Sequence, residues 1–137
     1  MSRTISLLFV TFFFVAVSTS LADSKPIKPI KEWSGSVTDA ELSKDAQEFI
    51  TGADALEKMW TSWKLEDKLP KVDFDKELVI VATTVGSKLS LFANLDEKGN
   101  LKVGGVATRD IVPGFRYMIA TISRDGIKAV NGKELKK

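Results

Sequence analysis

Residues 69–82 read LPKVDFDKELVIVA, and this stretch decides the fold. Leu78 to Ala82 is an unbroken apolar run rich in β-branched residues, which predicts a central strand buried on both faces. Polar and apolar residues alternate from Lys71 to Lys76, as in a strand with one solvent-exposed face. Pro70 separates this region from the preceding segment, because proline removes a donor that a helix interior needs.

The segment before Pro70 carries the strongest helix signal of the chain. Leu56, Trp60 and Trp63 recur at helical spacing, and Thr51 is a candidate cap at the N-terminal end. Aromatic residues at this spacing more often face a core than solvent. We therefore expect Trp60 to lie between the helix and a sheet.

Several predicted strands follow Ala82, and residues 88–95 alternate between polar and apolar. Turn signals separate these stretches, and Gly104-Gly105 inside one of them predicts a bulge. The predicted strands are Lys88–Leu95, Leu101–Thr108, Phe115–Ser123 and Ile127–Val130. One helix followed by such a meander predicts an α+β fold, in which one main helix packs on a mostly antiparallel four- to five-stranded sheet.

The first 22 residues have the pattern of a secretory signal peptide. Arg3 gives the positive start, Ile5 to Val17 is an uncharged apolar run, and Ser20-Leu21-Ala22 places small residues at a cleavage site before Asp23. Cleavage there predicts a secreted or periplasmic protein with no stable membrane span. The alternative is an N-terminal membrane anchor, because the uncharged stretch approaches the ~20 residues of a spanning helix.

Two further boundaries follow from composition. Residues 23–32 read DSKPIKPIKE, and Pro26 and Pro29 favour an extended, solvated leader. Residues 33–137 are then a single α+β domain, large enough to bury one core without disulfide bonds or a bound metal.

The composition excludes several kinds of chemistry. The chain has neither cysteine nor histidine, so it lacks the side chains for a Ser-His-Asp system, a Cys/His zinc site or thiol redox chemistry. Its formal net charge of +2 gives no basic excess of the kind that nucleic-acid binding needs. We therefore expect no cofactor, no metal site and no nucleic-acid partner.

Asp73, Asp75 and Glu77 are the carboxylates with period-two spacing on a predicted strand, where they would share a face. Such a group could act in acid–base catalysis or ligate calcium. The alternative interpretation is a solvated beginning of the strand, with Lys71 and Lys76 beside the acids. We favour the solvated interpretation and assign no catalytic residue.

Three residues are candidates for contact with a partner. Trp63 lies among polar neighbours on the predicted helix, so its indole is a candidate for an exposed contact. Arg109 and Arg124 lie near strand ends, where a guanidinium could bind a carboxylate or phosphate in bidentate fashion.

The segment Leu56–Val81, with Trp60, Leu69-Pro70 and the run from Val72, resembles the secreted bacterial domain typified by the C-terminal region of a protease-complex stabilising subunit (the PrcB type). Residues 84–88 depart from the Thr-Gly-Gly-Tyr-like turn of that family. The ending Gly126–Lys133 is also similar to that of small secreted bacterial proteins. These resemblances imply a partner-binding or stabilising accessory domain, and neither implies an enzymatic activity.

The sequence therefore predicts an exported, non-enzymatic binding or accessory module with an extracytoplasmic protein partner. An open sheet edge or an exposed apolar patch would be the feature that such a module uses. The alternative is a carboxylate-based hydrolase acting on envelope or environmental polysaccharide. That function needs two carboxyl groups ~5–10 Å apart in a cleft.

Overall fold

The computed structural model describes residues 24–135, and the predicted signal peptide lies outside this part of the chain. Nine strands, one α-helix (α1) and one 3₁₀ helix make up the described structure. The strands are β1 (Lys25–Pro26), β2 (Lys31–Val37), β3 (Phe49–Ile50), β4 (Glu77–Thr84), β5 (Leu89–Leu95), β6 (Asn100–Ala107), β7 (Phe115–Ser123), β8 (Ala129–Val130) and β9 (Lys133–Glu134). The helices are α1 (Ala53–Ser62) and the 3₁₀ helix Ala40–Asp45.

The strands form two sheets. The central sheet has the order β2-β7-β4-β3, and the outer sheet has the order β1-β5-β6-β8-β9. Every pairing is antiparallel except that of β6 with β8. The predicted mixture of helix and mostly antiparallel strands is confirmed. The single sheet is wrong, because the strands divide between two sheets and the protein is largely β.

The central sheet is buried on both faces, as β4 shows. Leu78 and Ile80 pack in a core shared with the outer sheet, whereas Val79 and Val81 pack in a core shared with α1. Alternate residues of a strand point to opposite faces, so helix, central sheet and outer sheet form three layers. The prediction that this apolar run is a strand buried on both faces is confirmed.

Trp60 lies between α1 and the central sheet, with only 5 % of its surface exposed. Its indole Nε1 donates to the Asp67 carbonyl oxygen at 2.7 Å. Its ring meets Trp33 edge to face, with centroids 5.7 Å apart. The predicted core position of Trp60 is confirmed.

Helix α1 ends with a residue in the left-handed conformation. Lys64 has φ of 52°, its amide donates to the Thr61 carbonyl at 3.1 Å, and the Leu65 amide donates to the Trp60 carbonyl at 3.2 Å. These two bonds are those of a Schellman motif, in which glycine usually takes the left-handed position. At the other end Gly52, not Thr51, is the N-cap, and it offers no side-chain hydrogen bond.

The leader predicted over residues 23–32 is instead part of the fold. Lys25 and Pro26 pair with β5, and the Ile27 amide donates to the Ala93 carbonyl at 2.8 Å. β2 then begins at Lys31 on the central sheet. Ile27 packs against the core between the sheets, so burying this side chain ties the segment to both of them.

The glycine pair in β6 does not form a bulge. The pairing of β5 with β6 continues without a break through Phe92↔Gly104 and Leu91↔Gly105. A side chain at Gly104 would meet the Phe92 ring at 2.6 Å, and one at Gly105 would meet Leu89 at 2.7 Å. The two glycines therefore let the Phe92 ring and the Leu89 side chain lie close against β6 in a regular strand.

Candidate functional site: an open strand edge

The edge of β6 that faces away from β5 is paired only at its beginning. β8 contributes two rungs, Asn100↔Ala129 and Leu101↔Val130. β6 continues to Ala107 in register with β5, but within residues 24–135 no further strand lies on its other side. Most of the length of β6 is therefore an edge.

The hydrogen bonds to β5 fix which backbone groups of β6 point outward. The Asp96 amide donates to the Asn100 carbonyl at 3.1 Å, and the Thr108 amide donates to the Lys88 carbonyl at 3.2 Å. Even-numbered residues of β6 therefore direct their N–H and C=O groups to β5. In an antiparallel ladder this direction alternates, so the odd-numbered residues direct theirs to the open side.

The side chain of Asn131 occupies the first rung beyond β8. Its Oδ1 accepts from the Val103 amide at 2.9 Å, and its Nδ2 donates to the Val103 carbonyl at 3.0 Å. Asn131 holds φ of 48° and Gly132 holds φ of 82°, the backbone of a tight turn for which Asn-Gly is the favoured sequence. The carboxamide thus pairs with Val103 as another strand would.

The next two odd-numbered residues, Gly105 and Ala107, are left open. Both are exposed, and no group among residues 24–135 hydrogen-bonds to their outward N–H or C=O groups. Two donors and two acceptors therefore stand along this edge at the spacing of a strand ladder.

A groove of about 190 Å³ runs beside this edge. Its opposite wall is formed by residues 46–48 and by residues 81–83 of β4. One end is closed, because the Asn131 Nδ2 also donates to the Glu48 carboxylate at 3.0 Å. Small residues, among them Ala46, Ala82 and Ala107, line the walls, so the groove has room for the side chains of an added segment.

Exposed apolar side chains gather at the end of the molecule where β6 finishes. Val106 is 66 % exposed, Val85 49 % and Ile111 83 %. Val85 and Ile111 belong to two loops that are joined by the Val112 amide, which donates to the Val85 carbonyl at 2.8 Å. The open edge therefore leads toward an apolar surface.

The same two loops are held together by Asp110. Its carboxylate accepts from the Ser87 amide at 3.0 Å. Hydrogen bonds from the Ser87 side chain, and then from Thr108, hold the pKa of Asp110 well below its usual range. Asp110 thus stays ionised and fixes the loop that carries Val85 beside the end of β6.

Of the three residues predicted to contact a partner, Trp63 lies in the core. Trp63 is only 6 % exposed and packs on Phe115 and Tyr117, with ring centroids 5.1 and 5.6 Å away. Its aromatic faces are therefore in the core and are not a surface for stacking.

Arg124 and Arg109 lie at opposite ends of the central sheet. Arg124 follows β7, where its Nη1 donates to the Phe74 carbonyl at 2.8 Å and so holds the turn before β4. Arg109 is exposed in the loop after β6, beside the other end of β4. The two guanidinium groups therefore do not share one site.

The acidic segment before β4 is a turn instead of a strand. The Asp73 carbonyl accepts from the amides of Lys76 and Glu77, at 3.0 and 2.8 Å, and its carboxylate accepts from the Asp75 amide at 3.1 Å. The shared strand face predicted for these acids is therefore wrong. Within residues 24–135, no three acidic side chains are grouped to hold a metal ion.

Comparison with known protein families, curated proteins and solved structures finds no match to this chain. The resemblance of Leu56–Val81 to the PrcB-type domain therefore stays a prediction. Among the described helices, none has the length and apolar character needed to cross a bilayer.

Proposed function

We propose that the protein is an extracytoplasmic binding module that takes an extended segment of a partner protein along the open edge of β6. The observation that carries this proposal is the outward N–H and C=O groups of Gly105 and Ala107 beside a groove. Strand addition is a common mode of peptide recognition, in which backbone hydrogen bonds give affinity and neighbouring pockets give specificity. Export through the predicted signal peptide would place this edge where such partners are met.

The geometry sets the size of the site. Asn131 already pairs with Val103, so an added strand begins at Gly105 and makes four backbone hydrogen bonds. Each contributes ~0.5–1.5 kcal/mol net, and ordering the segment offsets part of this sum. Backbone pairing alone therefore gives millimolar affinity, and tighter binding requires apolar contact.

The exposed apolar residues supply that contact. Val106 points to the outer face of β6, next to the two rungs, and Ile111 lies on the loop beyond them. A segment that carries an apolar side chain just past its paired residues would cover this surface. We therefore expect a partner segment with small residues in the groove and a larger apolar residue at its end.

The experiment removes one edge donor without touching the ladder to β5. Ala107→Pro deletes an outward N–H that no described residue uses, and proline is tolerated at such edge positions. Ala107→Ser is the matched control, because it keeps the amide. Peptides selected from a random display library on the wild-type protein are then titrated against all three proteins by NMR.

Strand addition predicts that the amides of Gly105 and Ala107 become protected from exchange when the peptide binds. Ala107→Pro should weaken binding about tenfold, the loss of one well-made hydrogen bond, while Ala107→Ser binds like the wild type. Methylating the peptide nitrogens that face β6 repeats the test without altering the protein. Binding that is indifferent to both changes, or the absence of any selected peptide, would overturn the proposal.

The carboxylate-based hydrolase receives no comparable support from the geometry. The Asp73 carboxylate is engaged by the amide of Asp75, and these acids lie in a turn at the start of β4 instead of facing one another across a cleft. No specific observation favours this second function.

A further inference from the structure

A second candidate site lies on the helix side of the central sheet, away from the edge of β6. A pocket of about 360 Å³ opens between β2, the end of β7 that carries Tyr117, and the chain that follows α1. Its lining includes Gly35, Trp63, Lys64, Glu66, Asp67 and Tyr117.

Tyr117 reaches this pocket across a glycine. Gly35 is its direct partner in the pairing of β2 with β7. A side chain at Gly35 would meet the Tyr117 hydroxyl oxygen at 2.7 Å. The phenol ring therefore packs over the backbone of Gly35, which has no side chain, and its hydroxyl lies at the edge of the sheet.

Two polar atoms on residues that line this pocket have no hydrogen-bond partner in the part of the chain that the structure describes. No hydrogen bond among residues 24–135 involves the Tyr117 hydroxyl or the Trp63 indole N–H, although each residue is only 6 % exposed. No enclosed polar side-chain atom of the described residues lacks a partner. Both atoms must therefore reach open space. Tyr117 lines this pocket, so its hydroxyl opens into it, whereas Trp63 lines two other pockets as well.

The pocket carries a net negative charge, because two carboxylates, Glu66 and Asp67, stand against one ammonium, Lys64, among its lining residues. Glu66 and Asp67 lie on its rim, and no lysine or arginine nitrogen among residues 24–135 lies within 4.0 Å of either carboxylate. Burial, and then the charges of Asp67 and Glu66, raise the pKa of the Tyr117 phenol. The hydroxyl therefore stays protonated and neutral beside two carboxylates, and it keeps a lone pair for a donor.

We propose that this pocket binds a primary ammonium group. Such a group donates three hydrogen bonds and carries one positive charge, so it offers a donor to the Tyr117 oxygen and a charge that suits the net negative lining. A neutral alcohol lacks the charge, and an anion would be repelled by the rim.

The ammonium could belong to a small free amine or to a lysine side chain of another protein. Both present the same ammonium group and differ in the rest of the molecule that carries it. Butylammonium serves as the free amine, and acetyl-lysine methylamide serves as the side chain within a peptide backbone. Butanol is the neutral match to the first probe.

The measurement is an NMR titration of the protein that follows the Trp63 indole N–H and the Gly35 amide. Both ammonium probes should give saturable shifts, and butanol should give none. Tighter binding of the lysine derivative assigns the site to a protein partner, and equal or weaker binding assigns it to a free amine. Either result supports the ammonium site.

Two variants make the test specific. Tyr117→Phe removes only an unpartnered hydroxyl, so the fold is retained, and binding should weaken about tenfold, as for one hydrogen bond to a charged group. Asp67→Asn should weaken it as well, whereas Glu57→Gln, on another face of α1, should not. Equal shifts with butanol, unchanged binding by Tyr117→Phe, or no saturable shift at all would overturn the proposal.

Discussion

Replacing Asn131 tests whether a side chain stands in for a strand at the edge of β6. The change Asn131→Gly keeps the positive φ of the turn, 48° in the wild type, because glycine adopts this conformation without strain. It removes the carboxamide that pairs with both backbone groups of Val103. The experiment therefore isolates the side-chain bonds from the geometry of the turn.

The cost follows from the burial of Val103, which is only 8 % exposed. A buried donor or acceptor left without a partner costs ~1–3 kcal/mol. Val103 lines the groove, where solvent can replace part of the lost bonding. The cost for each of the two groups therefore lies at the low end of this range. We expect Asn131→Gly to lower the free energy of unfolding by about 2–3 kcal/mol.

Urea denaturation measures this loss, and hydrogen exchange locates it. The Val103 amide should exchange faster in the variant, while the amide of Thr121 in β7 keeps its relative protection. Lys133→Gly is the matched control, because it adds a glycine to the same hairpin at an exposed position and should cost less than about 1 kcal/mol. A similar small loss for Asn131→Gly, with unchanged exchange at Val103, would show that the carboxamide does not complete the ladder.

Other changes test the core, the helix end and the loops. Trp60→Ala should cost about 3–5 kcal/mol in urea denaturation, and a loss below ~1 kcal/mol would contradict its buried position. Lys64→Gly should raise the stability by about 0.5–1 kcal/mol, because glycine takes the left-handed position freely; a lower melting temperature would count against the Schellman end. The lowered pKa of Asp110 means that its carboxylate stabilises the folded state above the unfolded pKa of 3.8, and that this contribution is lost as the pH falls toward the folded value. The difference in melting temperature between the wild type and Asp110→Asn should therefore be largest near neutral pH and shrink in acid; a constant difference would refute it. Mass spectrometry of the exported protein should find Asp23 as its first residue, and a chain that retains Met1 would contradict cleavage.

The elements that local pattern determines could be predicted from the sequence. The run Leu78–Ala82 forms a strand buried on both faces because every residue in it is apolar, and Trp60 is buried because it repeats at helical spacing from Leu56. The division into two sheets could not be predicted, because a period of two does not tell which sheet a strand joins. β2 and β5 both alternate but lie in different layers.

Long-range contacts decide the rest. The leader looks solvated by composition, yet Ile27 is held between the sheets by residues far along the chain. Trp63 has polar neighbours in sequence but packs on Phe115. The start of the open edge is set by Asn131, which bonds to Val103 28 positions earlier in the chain. The glycine pair on this edge predicts a bulge when only its neighbours in sequence are considered.

The pairing of β2 with β7 joins distant parts of the chain. Lys31 is partnered by Thr121, 90 residues later, and β7 lies between β2 and β4 in the central sheet. Neither core is complete until β7 is available, because β7 contributes side chains to both. Contacts between distant parts of a chain slow folding. A chain that grows from its N-terminus therefore carries unpaired strands until β7 has been made.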